Sequence, residues 1–332
     1  MQNQENFMRL GKLLCTLAFT TLASGLATLA PAHAQRYPTK PIRLIIPYSP
    51  GGGNDVIARP IAAKLGEQLG QAVVVENKPG AQAIIGVEFV AKAAPDGYTL
   101  LVAPSGPMTI NPAIYKKLSY APAKDFAPVS LMGEFPLVLA VNSKLGVGTV
   151  SELLGYLKAN PIKANYAASA SPFQLASELF AQRAGASFVH IPFKGSGDSV
   201  NAVVSGEVTM TLSDAGPIAG QVKGGALKAL AVTSAKPHPT FPGVPTLIEA
   251  GYPDLEITLF SGIVAPAGTA PDIVKRLAGE IAGIVALPEI RERLASVGIT
   301  AVSSTPEAYA QRIERDIARW TAVAKAANIS AD

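Results

Sequence analysis

Three consecutive glycines, residues 51–53, stand between an apolar run ending near Tyr48 and a helical pattern that begins at Asn54 or Asp55. Glycine lets the main chain approach a ligand closely, and a helix start presents unpaired N–H groups and a positive dipole end. Together they would form an anion site built from main chain. The alternative is a tight turn without a ligand. Asp55 is predicted to cap the helix, because its carboxylate would repel a bound anion.

The glycine-rich segments do not match the nucleotide-binding patterns. A P-loop requires Lys and then Ser or Thr after its last glycine, whereas Asn54 and Asp55 follow here. The segment GSGDSV, residues 195–200, begins like a dinucleotide fingerprint, but Val200 takes the place of the third glycine. The sequence therefore predicts no nucleotide ligand. No cofactor is predicted either.

Residues that could carry catalysis are sparse. Beyond residue 34 the chain has two histidines and no cysteine, so a dedicated zinc site is not expected. His190 is predicted to be a structural strand residue with a hydrogen-bonded ring, and His238, in a proline-rich loop, is predicted to be solvated. No G-x-S-x-G elbow is present. Lys194 and Asp214 could face a cleft as counter-charges, or could cap helices and pair with each other. The prediction is a binding protein and not an enzyme.

The first 34 residues have the pattern of an export signal. Arg9 and Lys12 precede an uncharged, mostly apolar run at 13–30, and AHA at 32–34 is a small-residue cleavage site. The alternative is a membrane anchor, since the run is almost long enough to span a bilayer. The cleavage pattern favours removal after Ala34 and a periplasmic location.

Length, charge and cysteine content narrow the possible fold and function of the protein. About 300 of the 332 residues follow the signal, which suggests two domains or lobes. The formal net charge is only +4, with no run of Lys and Arg, so no nucleic-acid partner is predicted. The single cysteine, Cys15, lies in the signal, and no internal disulfide is expected.

Short β-branched runs alternate with helical patterns along the chain, which predicts parallel sheets covered by helices on both faces. The first series, β-α-β-α-β, has strands at 42–48, 72–76 and 98–103. A second series begins near 137–143, and the segment 255–266 is long enough to return between lobes. The C-terminal helices are predicted to cover only the first lobe. The predicted fold is two α/β lobes joined by two crossing strands, with lobe 1 at 35–136 plus 257–332 and lobe 2 at 137–256.

The loops at the carboxyl ends of these strands should line one cleft, because ligands of open parallel sheets bind there. These loops are SPGGGND, NKPGAQA and PSGPMT in the first lobe and SASPF, PFKGSG and SDAG in the second.

Several blocks in order, PIRLIIPYSPGGGNDVIAR, VVVENKPGAQAIIG, AAPDGYTLLVAPSGP, FVHIPFKGSG and GIVAPAGTAPDIVKRL among them, resemble the extracytoplasmic solute receptors of tripartite tricarboxylate transporters, the Bug receptors. The resemblance runs from about Tyr37 into the C-terminal helices. It implies a type II periplasmic binding protein, a monomer whose lobes close over a small organic acid and which delivers that acid to membrane permease subunits.

The resemblance also implies a set of ligand contacts. In such receptors the loops matching 49–55 and 81–84 hold a carboxylate. Residue by residue, the implied contacts are Ser49, Gly51, Gly52, Asn54, Ala81, Gln82 and Ser105 from the first lobe and Ser169, Ser171, Phe173, Lys194 and Asp214 from the second.

Two departures keep the identity of the acid open. Where relatives often have GAGG, residues 80–83 read Gly-Ala-Gln-Ala, so side chains replace bare backbone. Gln174 stands where many relatives have a histidine. The predicted function is a periplasmic receptor that captures a small carboxylate for a transporter. An orphan receptor that presents its ligand to a membrane sensor is the alternative, and an enzyme on this scaffold is disfavoured by the missing catalytic groups.

Overall fold

The computed structural model describes residues 37–50, 53–193 and 195–331. The predicted signal and its cleavage site lie outside these ranges. From Lys40 onward the described residues form one compact unit. None of the helices in the described part of the chain is both long and apolar enough to cross a membrane.

The elements follow the predicted alternation of strand and helix. The strands are β1 (Ile42–Ile46), β2 (Val73–Asn77), β3 (Thr99–Pro104), β4 (Phe126–Asn142), β5 (Asn165–Ala168), β6 (Val189–Pro192), β7 (Met210–Asp214), β8 (Leu227–Val232), β9 (Thr258–Pro266) and β10 (Thr300–Ala301). The helices are α1 (Gly53–Leu69), α2 (Ile84–Ala91), α3 (Asn111–Ile114), α4 (Pro122–Asp125), α5 (Val150–Ala159), α6 (Ser171–Ala184), α7 (Ser196–Ser205), α8 (Ala215–Lys223), α9 (Pro271–Ala286), α10 (Pro288–Ala295) and α11 (Pro306–Ala326).

Each half of the molecule is built on three parallel strands. In the first half β1 lies between β2 and β3, and in the second half β5 lies between β6 and β7. Parallel neighbours need crossover connections, and the helices α1, α2, α6 and α7 supply them. The order β2-β1-β3-β9-β4-β7-β5-β6 then joins the two halves through β9 and β4, which are antiparallel to their neighbours.

The strand β4 crosses between the halves without a break. It pairs with β9 over residues 126–136 and with β7 and β8 from Leu137 onward. The chain returns through the buried Leu255 and Ile257, and the Ile257 N–H donates to the Thr233 carbonyl at 2.9 Å before β9 begins at Thr258. Two connections therefore cross, as predicted for this fold class, while the residue boundaries proposed for the lobes stay a prediction.

The start of β4 differs from the sequence prediction, which begins the second series near residue 137. Residues 126–136 are already strand, although they contain Pro128, Gly133 and Pro136. The pairing of β4 with β9 shifts register after Pro128 and again before Gly133. Such bulges let a strand accommodate proline and glycine, which explains why the segment does not have a regular strand pattern.

The C-terminal helix α11 packs on both halves, and the prediction that it covers only the first lobe is wrong. Tyr309 and Ile313 belong to a core cluster with Phe260 of β9. Trp320 and Val323 belong to the cluster that holds the second half together. Its 21 residues span about 30 Å, enough to reach both.

Candidate ligand-binding cleft

A cleft of about 600 Å³ lies where the loops of the two halves face one another. This volume suits a small organic molecule. The loops after β1, β2 and β3 form one wall, and the loops after β5, β6 and β7 form the other. The cleft is thus at the carboxyl ends of the parallel strands, where the sequence predicts it.

Most of the predicted contact residues come together in this cleft. Those that line it are Ser49, Asn54, Gln82, Ser105, Ser169, Phe173 and Asp214. Ala81 and Ser171 lie in the same loops but are not part of the lining. Gly51, Gly52 and Lys194 lie outside the described residues. For all twelve, contact with a ligand stays a prediction.

The helix α1 begins at Gly53, so Asp55 is inside its first turn and not in front of it as predicted. The Asp55 side chain is only 8% exposed, and its carboxylate accepts hydrogen bonds from the Arg59 Nε and Nη2 atoms, both at 2.8 Å. Asn77 Nδ2 donates to the same carboxylate at 3.1 Å. Because Arg59 neutralises Asp55, the helix start remains suited to an anion.

The Asn54 side chain, one residue before Asp55, lines the cleft. Its Oδ1 atom is buried and has no hydrogen-bond partner among the residues described. A buried amide oxygen normally accepts a hydrogen bond, and no described group supplies one here.

The loop after β2 has an unusual backbone. Ala81, Gln82 and Ala83 have φ angles of 46°, 52° and 75°, in the left-handed region that side chains disfavour by about 1–2 kcal/mol each. Asn111 Nδ2 donates to the Gln82 carbonyl at 2.9 Å and so helps to hold the loop. Strain of this kind persists where the surroundings enforce it, and it often marks binding sites. Alanine and glutamine do not signal it in the sequence.

The hydroxyl of Ser105 has a structural partner. It accepts a hydrogen bond from the Phe260 N–H at 2.6 Å and donates to the Phe260 carbonyl at 3.2 Å. Ser105 therefore ties the end of β3 to β9 while forming part of the cleft wall.

Sequence reasoning missed several lining residues, of which Tyr48 is the clearest. It directly precedes the loop SPGGGND, and its hydroxyl lies 2.7 Å from the position that a Cβ on Gly106 would take. Burial raises the pKa of the Tyr48 hydroxyl, so it stays protonated and able to donate. A tyrosine at the end of an apolar run is typical of a core residue, which is why the pattern did not single it out.

The second wall includes three polar side chains. The Ser169 and Ser196 hydroxyls are 3.3 Å apart, and both residues line the cleft. Asp214, at the end of β7, is half-buried and its Oδ1 accepts a hydrogen bond from the Ser213 hydroxyl at 2.9 Å. Asp214 precedes α8 but makes no side-chain capping bond to it.

The two histidines of the described chain do not line this cleft. His190 stacks on Tyr166 with ring centroids 5.2 Å apart, in keeping with the structural role predicted for it. The prediction that His238 is solvated is wrong, because it is only 6% exposed. The proline-rich loop turns inward at Phe241, a core residue that lies beside the His238 ring. No cluster of three or more metal-ligating side chains occurs among the described residues.

The two described histidines, His238 buried and His190 half-buried, predict a pH-dependent stability. Burial lowers the pKa of His190 and of His238. Below about pH 6.5 the unfolded chain binds protons that the folded chain does not, so the free energy of unfolding falls as pH falls. For each histidine the slope is at most about 1.4 kcal/mol per pH unit. Urea unfolding at pH 7.5 and 5.5 measures this change in the free energy of unfolding.

The substitution His238→Asn isolates one histidine, since the asparagine oxygen can still accept from the Thr240 N–H as the ring Nδ1 atom does. We expect a smaller loss of stability between the two pH values in this variant than in the wild type. An equal loss in both proteins would show that His238 does not contribute.

Two α/β halves, joined by crossing strands and facing each other over a cleft, define a type II periplasmic binding protein. The sequence model described as "Tripartite tricarboxylate transporter family receptor" matches residues 57–329. The chain belongs to this family of periplasmic solute-binding receptors.

Individual relatives agree with this assignment. BugT of Bordetella pertussis is 36% identical over 321 residues, which cover 96% of this chain and 98% of BugT. A solved R. palustris protein with adipate is 33% identical with a TM-score of 0.80, covering 89% of this chain and 99% of that one. The periplasmic binding protein BugD is 30% identical with a TM-score of 0.76, covering 89% and 99% of the two chains.

Proposed function

We propose that this protein captures a small organic carboxylate in its cleft and delivers it to the permease subunits of a tripartite tricarboxylate-type transporter, without chemical change. The observation that carries this proposal is the start of α1 in the cleft wall, with the carboxylate of Asp55 neutralised by Arg59. A 17-residue helix attracts an anion to its first turn. The similar R. palustris protein with adipate supports a carboxylate as that anion.

The proposed mechanism is closure of the two halves over the ligand. Ser49 and Asn54 contact the acid from the first half, and Ser169 and Phe173 complete the site from the second. Contacts from both walls favour the closed form, because a ligand shifts such an equilibrium only by binding one state more tightly. The protein acts as a monomer in the periplasm after cleavage behind Ala34.

A thermal-shift screen tests the proposed ligand class. The protein is unfolded and refolded to remove carried-over ligand, and then mixed with aliphatic, amino and aromatic carboxylic acids. An acid at a hundred times its Kd should stabilise the fold by about 2.7 kcal/mol. This corresponds to a Tm increase of several degrees for a chain of this size.

The methyl ester of each positive acid is the control, since it keeps the shape and removes the anion. We expect the ester to lose the shift, and small-angle scattering to show compaction with the acid alone. Equal shifts with acid and ester, or a flat panel with a well-folded protein, would contradict carboxylate capture.

A further inference from the structure

We propose that the acid captured in this cleft also carries a cationic hydrogen-bond donor, so that the ligand class is an amino-carboxylic acid whose ammonium group binds Asp214. This inference rests on the proposed function, because it assigns the second end of a ligand whose first end is the carboxylate.

The charges in the cleft wall are the first argument. Among the described lining residues, the charged side chains are Asp55 and Asp214, and none is a Lys, Arg or His. Arg59 neutralises Asp55 through two hydrogen bonds. The described wall therefore presents one net charge to a ligand, and this charge is negative.

The surroundings of Asp214 are the second argument. Its carboxylate is half-buried and, within the described ranges, accepts one hydrogen bond, from the Ser213 hydroxyl, and forms no ion pair. It does not cap α8, although it stands at the position from which a carboxylate usually does. An ionised carboxylate can accept about four hydrogen bonds, and a partly buried one without a cation is unfavourable. A donor from the ligand would supply what the described protein groups do not.

The position of Asp214 opposite α1 is the third argument. Gly53 at the helix start and Asp214 line the same cleft, and both also line an adjoining space of about 430 Å³. The Asn54 Oδ1 atom, which has no hydrogen-bond partner among the described residues, lies at this helix start and is a further acceptor. The cleft thus combines a helix start suited to a carboxylate with acceptors suited to N–H groups.

This arrangement predicts discrimination between ligands of similar length. A dicarboxylate would place its second negative charge near Asp214, and the like charges would repel. An amino acid of matching length would place its ammonium group there and form a charge-assisted hydrogen bond. Calorimetric titration of the refolded protein with matched pairs measures the difference: 4-aminobutyrate and butyrate, 5-aminopentanoate and pentanoate, and 6-aminohexanoate with hexanoate and adipate.

We expect at least one amino acid to bind about 10- to 100-fold more tightly than its parent acid, the range for a hydrogen bond to a charged group. Asp214→Asn should reduce this preference to about threefold or less. Asp214→Glu should keep the preference, and Asp198→Asn, which removes an exposed carboxylate outside the cleft, should leave it unchanged.

Three results separate the possibilities. If parent acids or adipate bind as tightly as the amino acids, the inference is wrong and carboxylate capture stands. If the preference survives in Asp214→Asn, the ammonium group binds elsewhere, and the inference is overturned. If no acid of either kind binds, the proposed function fails and the inference fails with it.

Discussion

Replacement of Arg312 by alanine is expected to lower the free energy of unfolding by about 3 kcal/mol, because it leaves Glu134 without its cation and Asp316 with only the exposed Arg315. The guanidinium binds Glu134 Oε1 at 2.7 Å and Asp316 Oδ2 at 2.5 Å. A third bond goes to the Thr258 carbonyl at 2.7 Å. The Arg312 side chain is only 18% exposed, so water replaces few of these interactions.

The place of these bonds in the fold makes the effect larger than that of a surface ion pair. Glu134 lies on β4 just before this strand changes partners, and Thr258 is the first residue of β9. Arg312 on α11 therefore ties both crossing connections to one helix. Its loss should weaken the contact between the halves as well as the fold as a whole.

Urea unfolding of the two variants Arg312→Ala and Arg315→Ala tests this prediction. Arg315 is on the same helix and also pairs with Asp316, at 3.4 Å, but its side chain is 70% exposed. An exposed pair contributes about 0–1 kcal/mol, so Arg315→Ala should change stability by less than about 1 kcal/mol. Similar losses in the two variants would show that the buried network around Arg312 adds nothing of its own.

The substitution Gly86→Ala is expected to weaken ligand binding by roughly tenfold or more, because a binding loop has to be held to within about 0.5 Å. It should also destabilise the fold by about 1–3 kcal/mol. A Cβ at Gly86 would lie 2.6 Å from the Lys78 carbonyl oxygen and 2.8 Å from Pro47 Cα. These are backbone atoms at the ends of β2 and β1, so α2 has to move away as a unit. The loop 80–83 leads directly into α2 and would move with it.

Gly155→Ala is the matched control, since Gly155 is also helical and has no atom within 4 Å of an added Cβ. Alanine there should leave binding unchanged and stabilise the protein by about 0.5–1 kcal/mol. Chemical unfolding gives the stability of both variants, and titration with the best acid from the screen gives their affinity. If Gly86→Ala bound that acid with unchanged affinity, the position of the loop 80–83 would not matter for the site.

Local patterns were sufficient to predict most elements of this protein. The segment VSELLGYLKA has a helical pattern and forms α5: Thr149 caps it through the Glu152 N–H, and its apolar residues Val150, Leu153 and Leu157 recur on one face. Alternation of such helices with β-branched runs predicted parallel strands, two halves and a cleft at the strand ends. The loops SPGGGND, SASPF and SDAG are predicted to line that cleft because each follows a predicted strand.

Features that depend on distant residues could not be predicted in this way. His238 is buried because its loop turns in at Phe241, and the start of β4 is a strand because β9 pairs with it across two bulges. The left-handed run at 81–83 has no local cause, and Asn111, 29 residues from Gln82, helps to hold it.

The alternation of elements, the fold class and the loops that form the cleft can be read from local patterns, because periodicity and turn residues act over a few neighbouring positions. The charges that the described wall presents follow from tertiary contacts. Arg59 neutralises one of its two carboxylates, Asp55, and among the described groups one serine hydroxyl donates to Asp214. Ion pairing and burial depend on how the chain brings distant groups together, and these contacts set the chemistry that a ligand meets.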